Sequence, residues 1–261
     1  MSADAPVLLR RDEDGVAWLT LNRPAQRNAL SVSLMTALEQ EIAALACEPA
    51  IKVVVIGGAG PGFCAGHDLR EMRANPGRQH YETLFAQCSR LMTAIVRLPK
   101  PVIASVHGIA TAAGCQLVAS CDLAIASSSA RFGVNGIDVG LFCSTPMVAL
   151  TRAVGRKAAM EMLLTGELID AATARSLGLV NRVVPREGLR EAVDALARQI
   201  AGKSAFTIKI GKEAFYRQAE LDLAATYRYA AEVMTTNMLA EDAGEGIDAF
   251  LARRPPVWHD R

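Results

Sequence analysis

A glycine-rich segment, Gly57-Gly-Ala-Gly-Pro-Gly-Phe-Cys-Ala-Gly-His-Asp-Leu69, directly follows the β-branched run Val53 to Ile56. Glycines let the main chain adopt positive φ and let a ligand approach the backbone closely. Free N–H groups in such a loop can bind an anion or a polarised oxygen. No Gly-Lys-Ser/Thr follows, which disfavours a phosphate-binding P-loop. Glycine content alone leaves a binding loop and a plain strand-to-helix connection both open.

A second segment of small residues, Val106-His-Gly-Ile-Ala-Thr-Ala-Ala-Gly-Cys-Gln-Leu117, leads from a predicted strand into a predicted helix. Small side chains let a substrate lie against the backbone, and the start of a helix presents N–H donors without intrahelical partners. One such donor from each segment would polarise a carbonyl and stabilise an enolate or a tetrahedral oxyanion. Each donor of this kind contributes ~3–4 kcal/mol to a transition state.

The elements that must position these segments follow from hydrophobic periodicity. Short apolar runs at 16–21, 52–56, 102–106 and 123–126 alternate with amphipathic helices, which predicts a largely parallel sheet. The end of the chain shows helical spacing only. We therefore predict an α/β core over residues 1–195 and a helical region over residues 196–261. The apolar stripe of that region must be buried on the core or on another subunit.

Charge and composition exclude several classes of protein. The chain has 261 residues, 51% of them hydrophobic, and a net charge of +1, so it lacks the positive field of a nucleic-acid binder. No apolar run approaches the ~20 residues of a membrane helix, and no targeting signal precedes the core, so we predict a cytoplasmic protein with no membrane partner. Six cysteines without a Cys-x-x-Cys pair predict no metal site and buried, reduced thiols.

Four segments in this order resemble the crotonase superfamily of enoyl-CoA hydratases and isomerases. They are Asn22-Arg-Pro-Ala-Gln-Arg-Asn-Ala-Leu30, Phe63-Cys-Ala-Gly-His-Asp-Leu69, Gly108-Ile-Ala-Thr-Ala-Ala-Gly-Cys-Gln-Leu117 and Gly246-Ile-Asp-Ala-Phe-Leu-Ala-Arg-Arg254. Within the family, residues 112–122 and 140–146 are most similar to those of the enoyl-CoA hydratase domain-containing proteins. The resemblance covers nearly the whole chain.

This resemblance implies a fold, a ligand and an assembly. The fold would be an α/β spiral of ββα units with a helical C-terminal region that forms a homotrimer, often paired into a hexamer. The main-chain N–H groups of His67 and Ala113 would hold a thioester carbonyl. Coenzyme A would enter as part of an acyl- or enoyl-CoA substrate, and no cofactor would be bound permanently. The residues implied along the CoA path are Asn28, Ala29, Ala65, His67, Asp68 and Leu69, with Phe250 and Arg253 near the nucleotide.

The chain departs from the family at the two glutamates that position and deprotonate water in its hydratases. Gln116 and Gly136 occupy those positions. An amide does not titrate and a glycine has no side chain, so we expect weak or altered hydratase activity. Asp138, two residues further along an extended chain, would face the same way as Gly136 and is the predicted substitute base; a helix or turn cap is the alternative.

Other chemistry-bearing residues are assigned more modest roles. His107 ends a strand and is interpreted as a hydrogen-bonded structural residue, and the imidazole of His67 as a solvated group. Cys143 and Ser144 lack an evident base, which makes a covalent mechanism unfavourable. The sequence thus predicts an enoyl-CoA hydratase-like lyase of fatty acid metabolism. The alternatives are a non-catalytic acyl-CoA-binding or regulatory protein, and a thioester decarboxylase or hydrolase that uses the same two amides.

Overall fold

The computed structural model describes residues 5–261 and contains two sheets. The larger has six strands in the order β1-β2-β3-β4-β6-β9, and the smaller has the order β5-β7-β8. All pairings are parallel except β1 with β2 and β7 with β8. The strands are β1 (Leu8–Glu13), β2 (Val16–Leu21), β3 (Val53–Gly58), β4 (Val102–Val106), β5 (Ile109–Thr111), β6 (Leu123–Ser127), β7 (Arg131–Gly133), β8 (Ile169–Asp170) and β9 (Arg182–Val184). The predicted α/β class with a largely parallel sheet is confirmed.

Helices separate these strands and make up the end of the chain. They are α1 (Val32–Ala46), α2 (Leu69–Ala74), α3 (Arg78–Arg97), α4 (Ala113–Ser120), α5 (Pro146–Ala153), α6 (Arg156–Thr165), α7 (Ala171–Ser176), α8 (Leu189–Ala201), α9 (Ala205–Gln218), α10 (Leu223–Met238) and α11 (Glu241–Leu251). Among the residues that the structure describes, no helix combines the length and apolar character needed to cross a membrane.

The β-branched run of β3 is buried on both faces, as its lack of polar alternation predicts. Val54 and Ile56 belong to the cluster that contains the apolar faces of α1 and α3. Val53 and Val55 belong to the opposite cluster, which contains the buried face of α8. Alternate residues of a strand point to opposite faces, so two helical layers enclose the central sheet. This arrangement fixes the carboxyl end of β3, where the glycine-rich segment begins.

The helix α8 contains residue 195, where the sequence analysis divides the chain. Its Val193, Leu196 and Ala197 pack on the strands of the main sheet. The apolar stripe of α8 covers the second face of that sheet, so the α/β core extends through the end of α8. The separate helical region comprises α9, α10 and α11.

A buried ion pair attaches α9 to the core. Lys212 Nζ lies 2.7 Å from Asp122 Oδ2 and also donates to the carbonyl oxygens of Ile95 (3.1 Å) and Lys100 (2.9 Å). The second carboxylate oxygen of Asp122 accepts from the hydroxyl of Tyr216 at 2.9 Å. All three Lys212 donors are therefore used, which offsets the cost of burying its charge.

The outer surface of α10 and α11 carries large apolar side chains. Leu223, Tyr227, Leu239, Phe250 and Leu251 are each at least 72% exposed. The apolar stripe that the sequence predicts for this region is thus turned away from the core of its own chain. An exposed apolar surface of this extent is typical of an interaction surface.

We expect Lys212→Met to lower the free energy of unfolding by about 3 kcal/mol, because the substitution leaves a buried carboxylate without its charged partner. Lys209→Met is the matched control, since Lys209 is exposed on the same helix; its effect should stay within about 0.5 kcal/mol. Urea denaturation of both variants measures the difference. Equal effects would show that the buried ion pair contributes nothing to the attachment of α9.

Candidate active site

Main-chain hydrogen bonds join the two segments that the sequence predicts to act together. The N–H groups of Phe63 and Cys64 donate to Ile109 O at 3.0 and 3.1 Å, and Thr111 N–H donates to Cys64 O at 3.0 Å. Cys64 and Ala110 form an isolated parallel bridge. The glycine-rich segment after β3 is thereby held along β5, just before α4 begins.

Two glycines allow this close approach. A Cβ atom at Gly114 would lie 2.1 Å from Cys64 O, and Gly66 has a φ of +89°. A Cβ at Gly66 would lie 2.9 Å from the Cβ of Ala112 and 3.2 Å from Ala113 N. The residue before His67 therefore packs directly against the first turn of α4, which brings the two predicted amide donors to the same place.

The main-chain N–H groups of His67 and Ala113 remain available as donors. Within residues 5–261, neither is paired with an acceptor, whereas the neighbouring Ala112 N–H donates to Gly133 O at 2.9 Å. Ala113 is the first residue of α4, so its N–H points out of the helix start. Its added methyl group, where many relatives have glycine, does not alter this geometry, since Ala113 has helical backbone angles.

Backbone strain is concentrated around these amides. Ala112 has φ 49° and ψ −120°, a conformation that costs a non-glycine residue about 1–3 kcal/mol. Arg27 and Asn28 also have positive φ, at 49° and 56°. Strain of this kind persists only where surrounding contacts impose it, and such positions are frequent at ligand sites.

The predicted CoA-contacting segment 22–30 lies beside the glycine-rich segment. Leu30 N–H donates to Gly66 O at 2.7 Å, and Ala65 N–H donates to Arg27 O at 3.0 Å. The side chain of Asn28 is fully buried, and its Nδ2 donates to the carbonyl oxygens of Ala59, Gly62 and Phe63. Asn28 therefore holds the loop in shape, and its side chain has no remaining donor for a ligand.

Asp68 is tied to the same segment through an arginine that the sequence analysis did not single out. Arg23 lies 2.8 Å from Asp68 Oδ2, while Oδ1 caps α2 through the N–H groups of Arg70 and Glu71. Burial opposes ionisation of Asp68, but hydrogen bonds from Arg23 and these amides outweigh it and lower the pKa of the carboxyl. Leu69, at the start of α2, is half exposed.

Gln116 is buried on α4 and lines a cavity of about 860 Å³ between α3, α4, α5 and α9. Its Oε1 lies 3.9 Å from the thiol of Cys88 on α3. Gln116 and Ala113 are three residues apart on the same helix, so they lie on the same face. The structure thus places the non-titratable Gln116 amide one helical turn from Ala113, in the wall of this cavity.

Gly136 lies in a 3₁₀ turn, Asn135–Val139, that closes tightly on the following loop. A Cβ atom at this position would lie 2.4 Å from Leu141 O and 2.8 Å from the Cys143 thiol sulfur. The loop therefore occupies the space that a glutamate would need. The Gly136 N–H also faces this thiol and favours its ionised form. Burial opposes ionisation and has the larger influence, so the pKa of Cys143 is raised.

The extended geometry that led to Asp138 as a substitute base is wrong. Because residues 135–139 form a 3₁₀ turn, side chains two positions apart do not share a face. The carboxylate of Asp138 is exposed and lies against Gly166, the residue that ends α6; a Cβ at Gly166 would be 2.8 Å from Asp138 Oδ1. Asp138 therefore lies against the end of α6 and does not share a face with Gly136.

The imidazole of His67 is buried, contrary to the expectation of a solvated group. Its ring meets that of Phe85 edge-on at 5.5 Å, and its Nε2 has no hydrogen-bond partner in the described part of the chain. Burial lowers the pKa of His67 to about 4. His107, in contrast, hydrogen-bonds to Gly60 O at 3.0 Å, as predicted for a structural histidine.

Phe250 and Arg253 are not brought to this site within one chain. Phe250 is 82% exposed on α11 and lines a second groove, of about 610 Å³, formed by α9, α10, α11 and Trp258. This groove shares no residue with the cavity at Gln116. Arg253 follows the end of α11 on the exposed surface.

We expect Gly114→Ala to lower the free energy of unfolding by at least about 2 kcal/mol, because its Cβ would collide with the main chain of Cys64. Gly211→Ala is the matched control, since Gly211 is also helical but has no atom within 4 Å of its Cβ position; it should be stabilising by up to ~1 kcal/mol. Chemical denaturation measures both. If Gly114→Ala were as stable as the parent, the close approach would not constrain the site.

We expect acid to destabilise the protein through His67. An unfolded histidine takes up a proton near pH 6.5, whereas His67 in the folded chain does so only near pH 4. Stability that is present above pH 6.5 should therefore be lost as the pH falls toward 4. In His67→Leu, the free energy of unfolding should fall less steeply over this range. Parallel curves for the two proteins would contradict the burial of a neutral imidazole.

Comparison with known proteins agrees with the geometry. The family model for enoyl-CoA hydratase/isomerase matches residues 11–261. Enoyl-CoA hydratase domain-containing protein 3, mitochondrial, of Xenopus laevis is 46% identical over 253 residues, which are 97% of this chain and 86% of that protein. A crystal structure of an enoyl-CoA hydratase from Mycobacterium smegmatis superposes with a TM-score of 0.96 at 55% identity, over 98% of this chain and 100% of that one.

The crystal structure of human enoyl Coenzyme A hydratase domain-containing protein 3 has a TM-score of 0.94 at 45% identity and covers 97% of this chain and 100% of its own. Sequence and structure therefore agree from the first strands to the helical C-terminal region. The chain belongs to the enoyl-CoA hydratase/isomerase family and has the crotonase fold.

Proposed function

We propose that this protein binds an acyl- or enoyl-CoA thioester and polarises its carbonyl with the main-chain N–H groups of His67 and Ala113. The observation that carries the proposal is that hydrogen bonds and glycine contacts bring the two segments together while leaving both amides without a partner. Preorganised main-chain donors stabilise negative charge on a carbonyl oxygen without rearranging during the reaction. The family membership supports a thioester as the source of that oxygen.

The CoA moiety would run along the segments 27–30 and 65–69, past Ala29, Ala65 and Leu69. Main-chain groups and small side chains provide the contacts there, because the side chain of Asn28 is used inside the loop. The acyl group would enter the cavity that Gln116 lines. Asp68 would act through the ion pair with Arg23, which fixes the turn into α2.

The proposed site is a poor hydratase because neither of the two glutamate positions carries a carboxylate. Gln116 does not accept or release a proton, and the Leu141 main chain and the Cys143 thiol occupy the space around Gly136. A positioned acid or base contributes ~10²–10⁴ in rate, and here both are missing. We propose an enoyl-CoA hydratase-like protein of fatty acid metabolism in which carbonyl polarisation is retained and water addition is weak.

Two other functions use the same site. A non-catalytic acyl-CoA-binding protein would bind thioesters and turn over none of them. A decarboxylase or a thioesterase would release carbon dioxide or free CoA thiol, because an enolate or a tetrahedral intermediate also places its charge on the oxygen held by the two amides. Product analysis with malonyl-CoA and acyl-CoA substrates separates these outcomes from hydration.

We also propose that the protein is a homotrimer or a dimer of trimers, assembled through α10 and α11. The exposed apolar side chains of these helices supply the surface that a second subunit would cover. In such an assembly, Phe250 and Arg253 would reach the CoA nucleotide of a neighbouring subunit, since neither lines the cavity of its own chain. Sedimentation equilibrium measures the number of subunits.

The cellular location stays a proposal. The vertebrate relatives of this chain are named enoyl-CoA hydratase domain-containing protein 3, mitochondrial. We propose a cytoplasmic location for this chain, as in the sequence analysis. Fractionation of cells that express the native chain distinguishes the two locations.

The proposal predicts the rate at which crotonyl-CoA is hydrated, and the loss of its enoyl absorbance measures that rate. The parent protein should be at least about 100-fold slower than a hydratase with both glutamates, and Gln116→Glu should raise its rate about tenfold or more. Gln116→Leu, which adds no carboxylate, is the control and should not be faster than the parent. A parent rate within about tenfold of an ordinary hydratase would show that the missing glutamates do not limit this site.

Residue 136 is unsuitable for the same test. Gly136→Glu would force its side chain against Leu141 O, so a slow or unfolded variant would not report on the chemistry. Position 116 carries the test because a glutamate there has nearly the shape of the glutamine it replaces.

A further inference from the structure

The orientation of the Gln116 amide has a consequence for the acyl group that the cavity accepts. Cys88 on α3 is fully buried, and its thiol lies 3.9 Å from Gln116 Oε1. A thiol is a weak donor and a weak acceptor, and this thiol stays protonated because burial raises the pKa of Cys88 to about 12. Its S–H donates to Gln116 Oε1, so the amide oxygen faces α3.

The amide nitrogen of Gln116 is then left for the cavity. Within residues 5–261, Gln116 Nε2 makes no hydrogen bond, and it is not among the side-chain atoms that are both unpaired and completely enclosed. Gln116 lines the 860 Å³ cavity. Its amide nitrogen thus faces this cavity, one helical turn along α4 from the proposed donor Ala113.

The charges along the cavity favour an anion. Five basic residues line it, but Lys212 is paired with Asp122 and Arg152 with Glu220. Among the described residues that line the cavity, three cations and one acid take no part in these ion pairs. The cations are Arg97, Lys209 and Arg217, and the acid is Glu213. A cavity of one predominant sign concentrates ligands of the opposite sign.

We propose that Cys88 is a positioning residue that turns the Gln116 amide toward the cavity as a hydrogen-bond donor, and that the cavity selects acyl thioesters carrying a second carboxylate. The inference rests on the proposed acyl-CoA function and deepens it by naming a substrate class, the monothioesters of dicarboxylic acids. A glutamate at position 116 would repel such a group, whereas the amide donates to it. Cys88 acts through Gln116 and contacts no substrate.

The test compares dissociation constants for thioesters of equal carbon number by isothermal titration calorimetry. Succinyl-, glutaryl- and adipyl-CoA are each matched with butyryl-, pentanoyl- and hexanoyl-CoA, and the series locates the carboxylate relative to the thioester. The parent protein should bind at least one carboxylated member about tenfold or more tightly than its match, since a hydrogen bond to a charged group is stronger than a neutral one. Gln116→Leu should abolish this ratio, and Gln116→Glu should reverse it.

Cys88→Ala should lower the ratio about threefold or more, because the amide is then free to turn over. Cys121→Ala is the matched control: Cys121 is also a buried thiol next to α4, but its sulfur donates to Leu117 O at 3.2 Å and not to Gln116. That variant should keep the parent ratio. A merely structural role of Cys88 would change both affinities of a pair alike and leave their ratio intact.

A double variant, Arg97→Gln with Lys209→Gln, tests the positive charge of the cavity separately. It should weaken the binding of the carboxylated thioester more than the binding of its uncarboxylated match. Equal affinities for all matched pairs in the parent protein, with every thioester bound, would overturn the inference and leave the proposed function standing. Failure of the parent protein to bind any of the six thioesters would overturn the proposed function, and the inference with it.

Discussion

Close contact between two main-chain segments is the constraint on which the rest of the site depends. The glycine-rich segment after β3 and the segment from β5 into α4 are joined by hydrogen bonds between Cys64, Ile109 and Thr111. Gly66 and Gly114 remove the side chains that would keep these backbones apart. The parallel sheet places both segments at the carboxyl ends of β3 and β4, where ligands bind in α/β proteins. Strain at Ala112 is tolerated because contacts on both sides impose that conformation.

The same geometry separates binding from proton transfer. The two amide donors belong to the backbone, so they survive any change of side chain that leaves the segments in contact. The titratable groups of a hydratase are side chains, and we propose that Gln116 and Gly136 stand in their places here. The space around Gly136 is occupied by Leu141 and Cys143, so the loop has adapted to the absence of a glutamate. A site of this kind is expected to retain affinity for thioesters with altered chemistry.

Much of the fold could be predicted from hydrophobic periodicity, because most elements bury one face in a single core. The strand at 16–21 and the helix at 113–120 have the predicted bounds. The short strands β5, β7 and β8 could not be predicted, since two or three residues carry no periodic signal. The apolar stripe of α8 resembles that of any surface helix in sequence, and only its packing on β3 shows that it covers the main sheet.

The site was predictable where the backbone acts and unpredictable where a side chain must be oriented. Glycine positions indicated the two amides, whereas the 3₁₀ turn that points Asp138 toward α6 depends on contacts with residues 141–143. Cys88 and Arg23 were missed because a lone buried thiol and a single arginine in a loop have no signature in sequence. Both act through residues that the sequence did identify, Gln116 and Asp68.

The central claim is that two main-chain amides hold one thioester oxygen, and infrared spectroscopy of a bound acyl-CoA labelled with ¹³C at its carbonyl tests it most directly. Strong hydrogen bonds to that oxygen weaken the carbonyl bond, so the account predicts a stretching frequency below that of the ligand in water. Gly114→Ala, in a sample shown to be folded, should move the frequency back toward the free value. A parent complex whose carbonyl frequency equals that of the free thioester would contradict the account.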